Sequence, residues 1–212
     1  MHFIAYFVWY SSSALQKFPD LTMIPAEEGV MGSITLVLGG TKSGKTTFAQ
    51  QLAAETAGNS SSVLYIATAR AFDEGMEARI RKHRASRPAG WRTLEEPLCV
   101  SSALPEAAFG MQAVLLDCLT LLSSNIILHL GDEPDREEAQ NRVLQEIEGI
   151  IQGASRMDAP LVVISNQVET GLVAPTRLGG IFQDIAGLSH QLVARHAEAV
   201  YLLTAGIPQR LK

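Results

Sequence analysis

At 212 residues, with 47% hydrophobic and 18% charged side chains, the chain has the balance of a soluble globular protein and the length for one α/β domain with a sizeable core. Its formal net charge of −5 gives no nucleic-acid footprint, and no apolar run approaches the ~18 residues a membrane-spanning helix needs. Cys99 and Cys118 stand in no CxxC or metal-ligand spacing, so both are expected to be small buried side chains in a reducing, cytoplasmic setting.

Residues 1–30 differ in character from the rest. Phe3 to Tyr10 is an apolar, aromatic octet followed by three serines, and no Lys or Arg precedes Lys17. The basic n-region of an export signal is therefore missing. Met31 stands immediately before the first strand signal. We expect 1–30 to be a weakly ordered extension without catalytic function, and 31–212 to be a single catalytic domain.

Ile34, Leu36, Val37 and Leu38 form a short apolar run, as in a strand covered on both faces. Gly39, Gly40, Thr41, Lys42, Ser43, Gly44, Lys45 and Thr46 follow, matching the phosphate-loop pattern G-x-x-x-x-G-K-S/T between a strand and a helix. The glycines let backbone N–H groups converge on phosphate oxygens, and the helix N-terminus presents its partial positive charge to the same anion. Lys45 is expected on the β- and γ-phosphates and the Thr46 hydroxyl on Mg²⁺. The plainer alternative is a glycine-rich turn with an exposed lysine.

Phe48, Leu52 and Ala53 mark a helical stripe ending near Gly58, and Val63 to Ala67 reads as a second buried strand. Strand–helix alternation predicts a parallel sheet with ligand loops at the carboxyl ends of its strands, which places Thr68, Ala69 and Arg70 near a nucleotide. Asp73 can cap a helix carrying Met76, Arg79, Ile80 and His83 along one face. With Arg81, Lys82, Arg84 and Arg87, this is the most basic part of the chain. On spacing alone His83 reads as a surface histidine. Trp91 to Pro97 is a short strand or turn bearing Glu95 and Glu96, and a helix follows to about Phe109.

Ala113 to Asp117 is an apolar strand ending in an acid, the form taken by the second metal-side element of a phosphate-loop NTPase. An Asp capping the next helix is the alternative. Leu119 to Leu130 reads as an apolar helix, 131–138 as an acidic loop and 141–152 as a helix. A fourth buried strand spans 161–165, a loop 166–175, a long helix 175–198 and a fifth strand 199–203. Gly206, Ile207 and Pro208 turn into a tail.

The stretches LVLGGTKSGKTTFA (36–49), LYIATA (64–69), EARIRKHRASRPAGWRTLEEP (77–97), VLLDCLTLLSSN (114–125), VISNQVETGLVAP (163–175) and FQDIAGLSHQLVARHAEAVYLLTAGIP (182–208) together span nearly all of 32–212. In them the chain resembles the bifunctional adenosylcobinamide kinase / adenosylcobinamide-phosphate guanylyltransferases of cobalamin biosynthesis. The resemblance implies a RecA-like phosphate-loop fold with a mostly parallel sheet flanked by helices, often assembled as a homotrimer. It implies that a nucleoside triphosphate, ATP or GTP, phosphorylates adenosylcobinamide. GTP then guanylylates a histidine, and GMP passes to adenosylcobinamide phosphate. Carried over by position, that histidine is His83, and nucleotide contacts fall on 39–46, on Ala67, Thr68 and Ala69, on Arg84, Ala85, Ser86 and Arg87, and on Glu95 and Asp117. Thr46 and Asp117 are the metal-side residues. The family's usual loop sequence NEVG is here Asn166-Gln167-Val168-Glu169, so no role is assigned to Gln167. The main alternative is another phosphate-loop small-molecule kinase with no covalent nucleotidyl step. A RecA-like ATPase module serving a macromolecular partner is a third, which the low pI argues against.

Overall fold

The computed structural model describes residues 32–58, 62–70, 75, 77, 81, 84, 87, 88, 90–171 and 174–212. The expectations for residues 1–30, for the face carrying Met76, Arg79 and Ile80, and for His83, Ala85 and Ser86 lie outside the described residues. Residues 75, 77, 81 and 84 are helical.

Seven strands form one sheet: β1 (Ile34–Gly39), β2 (Val63–Ala67), β3 (Arg92–Glu95), β4 (Ala113–Asp117), β5 (Leu161–Asn166), β6 (Ala199–Thr204) and β7 (Ile207–Arg210). Their order across the sheet is β3-β2-β4-β5-β1-β6-β7. Every neighbouring pair is parallel except β6 with β7. The phosphate-loop strand β1 and the acid-bearing strand β4 are separated by β5, which gives a phosphate-loop fold of the RecA-like kind. The carboxyl ends of β1, β2, β4 and β5 lie along one edge, in the register Gly39 with Asn166 and Ala67 with Asp117.

The continuous apolar runs are explained by burial on both faces. Ile34, Leu36, Leu38, Val114, Leu116, Leu161 and Val163 point to one face. There they pack against α2 (Val100–Ala107), α3 (Leu119–His129), α4 (Arg136–Ala154) and α5 (Arg177–His196). Val37, Tyr65, Leu115, Val162 and Ile164 point to the other face and meet α1 (Lys45–Thr56) through Ala49 and Ala53. The small alanines let α1 sit close to the sheet, which brings its N-terminus over the edge that β1 ends on.

Three expectations are corrected. Residues 131–138 are not all loop: Asp135 accepts from the backbone N–H groups of Glu137 and Glu138, so α4 begins at Arg136. Its two first-turn glutamates face the positive end of the helix, which favours them there. The chain does not end in a plain tail, because Ala205 and Gly206, with φ of 52° and 82°, make a tight turn that returns β7 antiparallel to β6. Finally, Cys118 is buried but Cys99 is exposed.

No helix among the described residues is long and apolar enough to cross a membrane. Replacing Asp135 with Ala should cost about 1 kcal/mol of unfolding free energy. Urea denaturation of wild type and Asp135→Ala checks it; equal midpoints and slopes would show that α4 does not depend on this cap.

Candidate active site

The site begins with backbone that has no room for side chains. A Cβ on Gly39 would lie 2.4 Å from Ser43 Oγ and 2.8 Å from the Leu203 carbonyl oxygen. Gly44 has φ of 92°, and a Cβ there would meet Gly206 Cα at 3.2 Å. The loop therefore folds over the end of β1 and against the β6–β7 turn. That turn is tied to it, with Gly206 N–H donating to the Ser43 carbonyl at 2.9 Å. Ser43 N–H donates to the Gly40 carbonyl at 3.2 Å, and Gln167 N–H to the Gly39 carbonyl at 3.1 Å. The loop is thus braced from both neighbouring strands.

Gly44 is the N-cap of α1, which has no side-chain cap and no acid in its first turn. The N–H groups of that turn and the helix dipole are left for an anion. Lys45 is buried, and its Nζ donates to the Gly40 carbonyl at 3.0 Å. Burial lowers its pKa, while the neighbouring Cys118 and Asp117 pull it back up. Lys45 and Asp117 therefore stand close enough to interact, the arrangement expected at the terminal phosphates of a nucleotide.

Asp117 does not cap the following helix: the N-cap of α3 is Cys118, and no side chain caps it. The Asp117 carboxylate instead accepts a hydrogen bond from the Tyr65 hydroxyl through Oδ2. Behind it the backbone is fixed by Thr68. Thr68 N–H donates to the Asp117 carbonyl at 3.0 Å. Its hydroxyl accepts from Cys118 N–H at 2.8 Å and donates to the Cys118 carbonyl at 2.9 Å. Its carbonyl accepts from Asn125 Nδ2 at 2.7 Å. Thr68 is wholly buried, so its polar groups are spent on holding β2 to β4, and Ala69 is the half-buried residue at that edge. Burial, and then the charge of Asp117, push the Cys118 thiol up; its Sγ lies 3.0 Å from Thr120 Oγ1.

Two arginines of the basic stretch contact the sheet at the same end. Arg84 pairs with Glu95 at the end of β3. Both are more than half exposed, so the pair is worth little to stability and is free to exchange partners. Arg87 lies over the Tyr65 ring, its Cζ 4.3 Å from the centroid, with its Nε buried and unpartnered. Thus 39–46, 67–69, Arg84, Arg87, Glu95 and Asp117 are gathered along one edge.

Sequence reasoning missed three parts of this site. Tyr65 reads as one more apolar strand residue, and only its hydroxyl, polar inside a buried run, hints otherwise. The β6–β7 turn was hidden because Thr204-Ala205-Gly206 carries a single glycine. The third is a buried chain in which Ser165 Oγ lies 2.7 Å from His190 Nε2, and His190 Nδ1 lies 3.0 Å from Glu169 Oε1. It fastens the loop after β5 to α5, where Gln183 also donates to the Val168 carbonyl and accepts from Ala174 N–H.

The Thr46 hydroxyl and the Asp117 carboxylate are hard oxygen donors of the kind Mg²⁺ takes. Among the described residues there is no cluster of three or more His, Cys, Asp or Glu to cage a metal. A metal held by one or two protein oxygens and completed by phosphate and water fits that donor set.

Residues 35–211 match the family model described as cobinamide kinase / cobinamide phosphate guanyltransferase. The chain is 41% identical to the bifunctional adenosylcobalamin biosynthesis protein CobP of Pseudomonas aeruginosa over 177 residues, covering 84% of this chain and 96% of that one. It is 36% and 37% identical to the proteins named CobU from Escherichia coli and Salmonella typhimurium, covering 84% of this chain and 98% of each. Two solved structures, flagellar accessory protein FlaH from Methanocaldococcus jannaschii and the ATPase domain of G40P, each align with a TM-score of 0.46 at 14% identity. FlaH covers 86% of this chain and 79% of its own, and G40P 80% and 68%. Those two likenesses are too loose to bear on function. The sequence match runs through every strand of the sheet and the whole phosphate loop, and by it the chain belongs to the cobinamide kinase / cobinamide phosphate guanyltransferase family of bifunctional transferases.

Proposed function

We propose that this chain phosphorylates the aminopropanol hydroxyl of adenosylcobinamide and then moves GMP from GTP to adenosylcobinamide phosphate through a guanylylated His83. The observation that carries the reading is the meeting, at one sheet edge, of the phosphate loop, Lys45, Asp117 and the arginines flanking His83 in sequence.

In the kinase step Lys45 and the N–H groups of 40–46 hold the triphosphate, and the substrate hydroxyl oxygen displaces the nucleoside diphosphate from the γ-phosphorus. Thr46 and Asp117 would hold Mg²⁺, which would supply charge neutralisation to the phosphates. In the transferase step a ring nitrogen of His83 attacks the α-phosphorus of GTP. The bond to pyrophosphate breaks and a phosphoramidate remains. A phosphate oxygen of adenosylcobinamide phosphate then displaces the histidine, giving adenosylcobinamide-GDP and freeing the imidazole. A neutral imidazole is competent for this near pH 7. Arg84 and Arg87 stabilise charge on the α-phosphate, and Glu95 releases Arg84 to receive guanine or ribose donors. Ala67 to Ala69 and Ala85 to Ser86 complete the nucleotide contacts.

The remainder of the reading is a cytoplasmic enzyme, assembled as a homotrimer, whose catalytic domain is 31–212 and whose residues 1–30 take no part in catalysis. A kinase without a covalent step is not favoured, because the family carries a guanyltransferase activity as well.

Lys45→Ala should lower both activities by roughly 100-fold or more, since both need the triphosphate held. His83→Ala should leave phosphorylation of adenosylcobinamide near the wild-type rate and abolish formation of adenosylcobinamide-GDP. Chromatography of the two products from each variant reads both. Adenosylcobinamide-GDP formed by His83→Ala at the wild-type rate would end the covalent reading.

A further inference from the structure

We propose that Tyr65 is a positioning residue that sets the metal-side acid and the basic segment at once, its hydroxyl holding Asp117 and its ring carrying Arg87. This rests on the reading of Asp117 as the metal-side acid.

Tyr65 is 1% exposed, on β2, two residues before that strand ends opposite Asp117. It packs with Val37, Leu115 and Ile164 on the α1 face. Packing alone is met by Phe. A hydroxyl buried there costs free energy unless partnered, and its partner is the Asp117 Oδ2.

The consequence for Asp117 is geometric. Its backbone is pinned by Thr68 through the Asp117 carbonyl and both polar groups of the next residue. Rotation of the carboxylate is the freedom that remains, and the Tyr65 hydroxyl removes it. One oxygen faces the phenol and the other is left for the triphosphate and its ion. Oxygen donors fixed in this way bind a metal better than free-turning ones, because their ordering cost is met in folding.

The ring does the second job. The Arg87 guanidinium lies over its face; Nη1 donates to Thr93 Oγ1 at 3.5 Å, and the buried Nε has no partner within the protein. A planar cation held over an aromatic face is fixed in place while part of its N–H set stays free for an anion. The hydroxyl edge of one side chain therefore touches the acid, and its face touches the base.

The test uses the full chain with α,β-methylene-GTP, which cannot guanylylate the enzyme, and reads Mn²⁺ binding by electron paramagnetic resonance. Tyr65→Phe keeps the ring beneath Arg87 and removes only the hydroxyl. It should raise half-saturating Mn²⁺ by about 10-fold. Metal-free affinity for the analogue should be unchanged, and in turnover kcat should fall while KM for nucleotide holds. Asp117→Asn should also raise half-saturating Mn²⁺, and adding Tyr65→Phe to it should raise it no further. If Asp117→Asn weakens Mn²⁺ binding and Tyr65→Phe does not, the role of Tyr65 is overturned while the reading of Asp117 stands. If Asp117→Asn binds Mn²⁺ like wild type, both are overturned. Should Tyr65→Phe not fold, ring-labelled tyrosine in the wild type carries the test by NMR. The Tyr65 hydroxyl proton should exchange slowly and shift when Mg²⁺ and the analogue bind. A hydroxyl proton that exchanges freely overturns the inference.

Discussion

The site depends on six residues of backbone, Gly39 to Gly44, whose ends are packed too tightly to bear side chains. Van der Waals exclusion by Ser43 and Leu203 at one end, and a left-handed φ against Gly206 at the other, fix where the N–H groups point. Neighbours supply the bracing: the β6–β7 turn holds the Ser43 carbonyl, and the chain leaving β5 holds the Gly39 carbonyl. The anion-binding groups are therefore oriented by folding, and their orientation need not be bought from a ligand.

The sheet order decides what can meet at that loop. Because β5 lies between β1 and β4, the acid at the end of β4 stands one strand away from the loop, and its charge reaches Lys45 there. Because β2 and β3 lie beyond β4, Arg84, paired with Glu95, and Arg87, over the Tyr65 ring, stand on that side of the site. In sequence these two arginines flank His83. One parallel sheet thus aligns the triphosphate end of the site with the residues expected to act on the α-phosphate. Both reactions of the family use this edge in our reading, with the γ-phosphate transferred in one and the α-phosphate in the other.

Much of this was legible in the sequence because it is local. The strand–loop–helix pattern at 34–50, the apolar runs ending at Ala67, Asp117 and Ser165, and the periodicity of 141–152 all report backbone environments that neighbouring residues dictate. What was not legible depends on partners distant in the chain. The Tyr65 hydroxyl finds Asp117 52 residues on, and Ser165 finds His190 25 residues on. No spacing rule announces either. The start of α4 was set too late because the acids at 137 and 138 read as solvated charge, when Asp135 had made them a first turn. The cysteines show the same limit, since composition cannot distinguish Cys118, sealed behind the acid, from Cys99, open at the start of α2.

The central claim is that one imidazole carries the guanylyl group between two substrates. Peptide mapping by mass spectrometry of the wild-type chain after incubation with GTP and Mg²⁺, at neutral pH and without corrinoid, tests it most directly. The account predicts a guanylyl group on the peptide containing His83, lost when adenosylcobinamide phosphate is added. A guanylyl group on another residue, or an unmodified chain that still forms adenosylcobinamide-GDP, would contradict it.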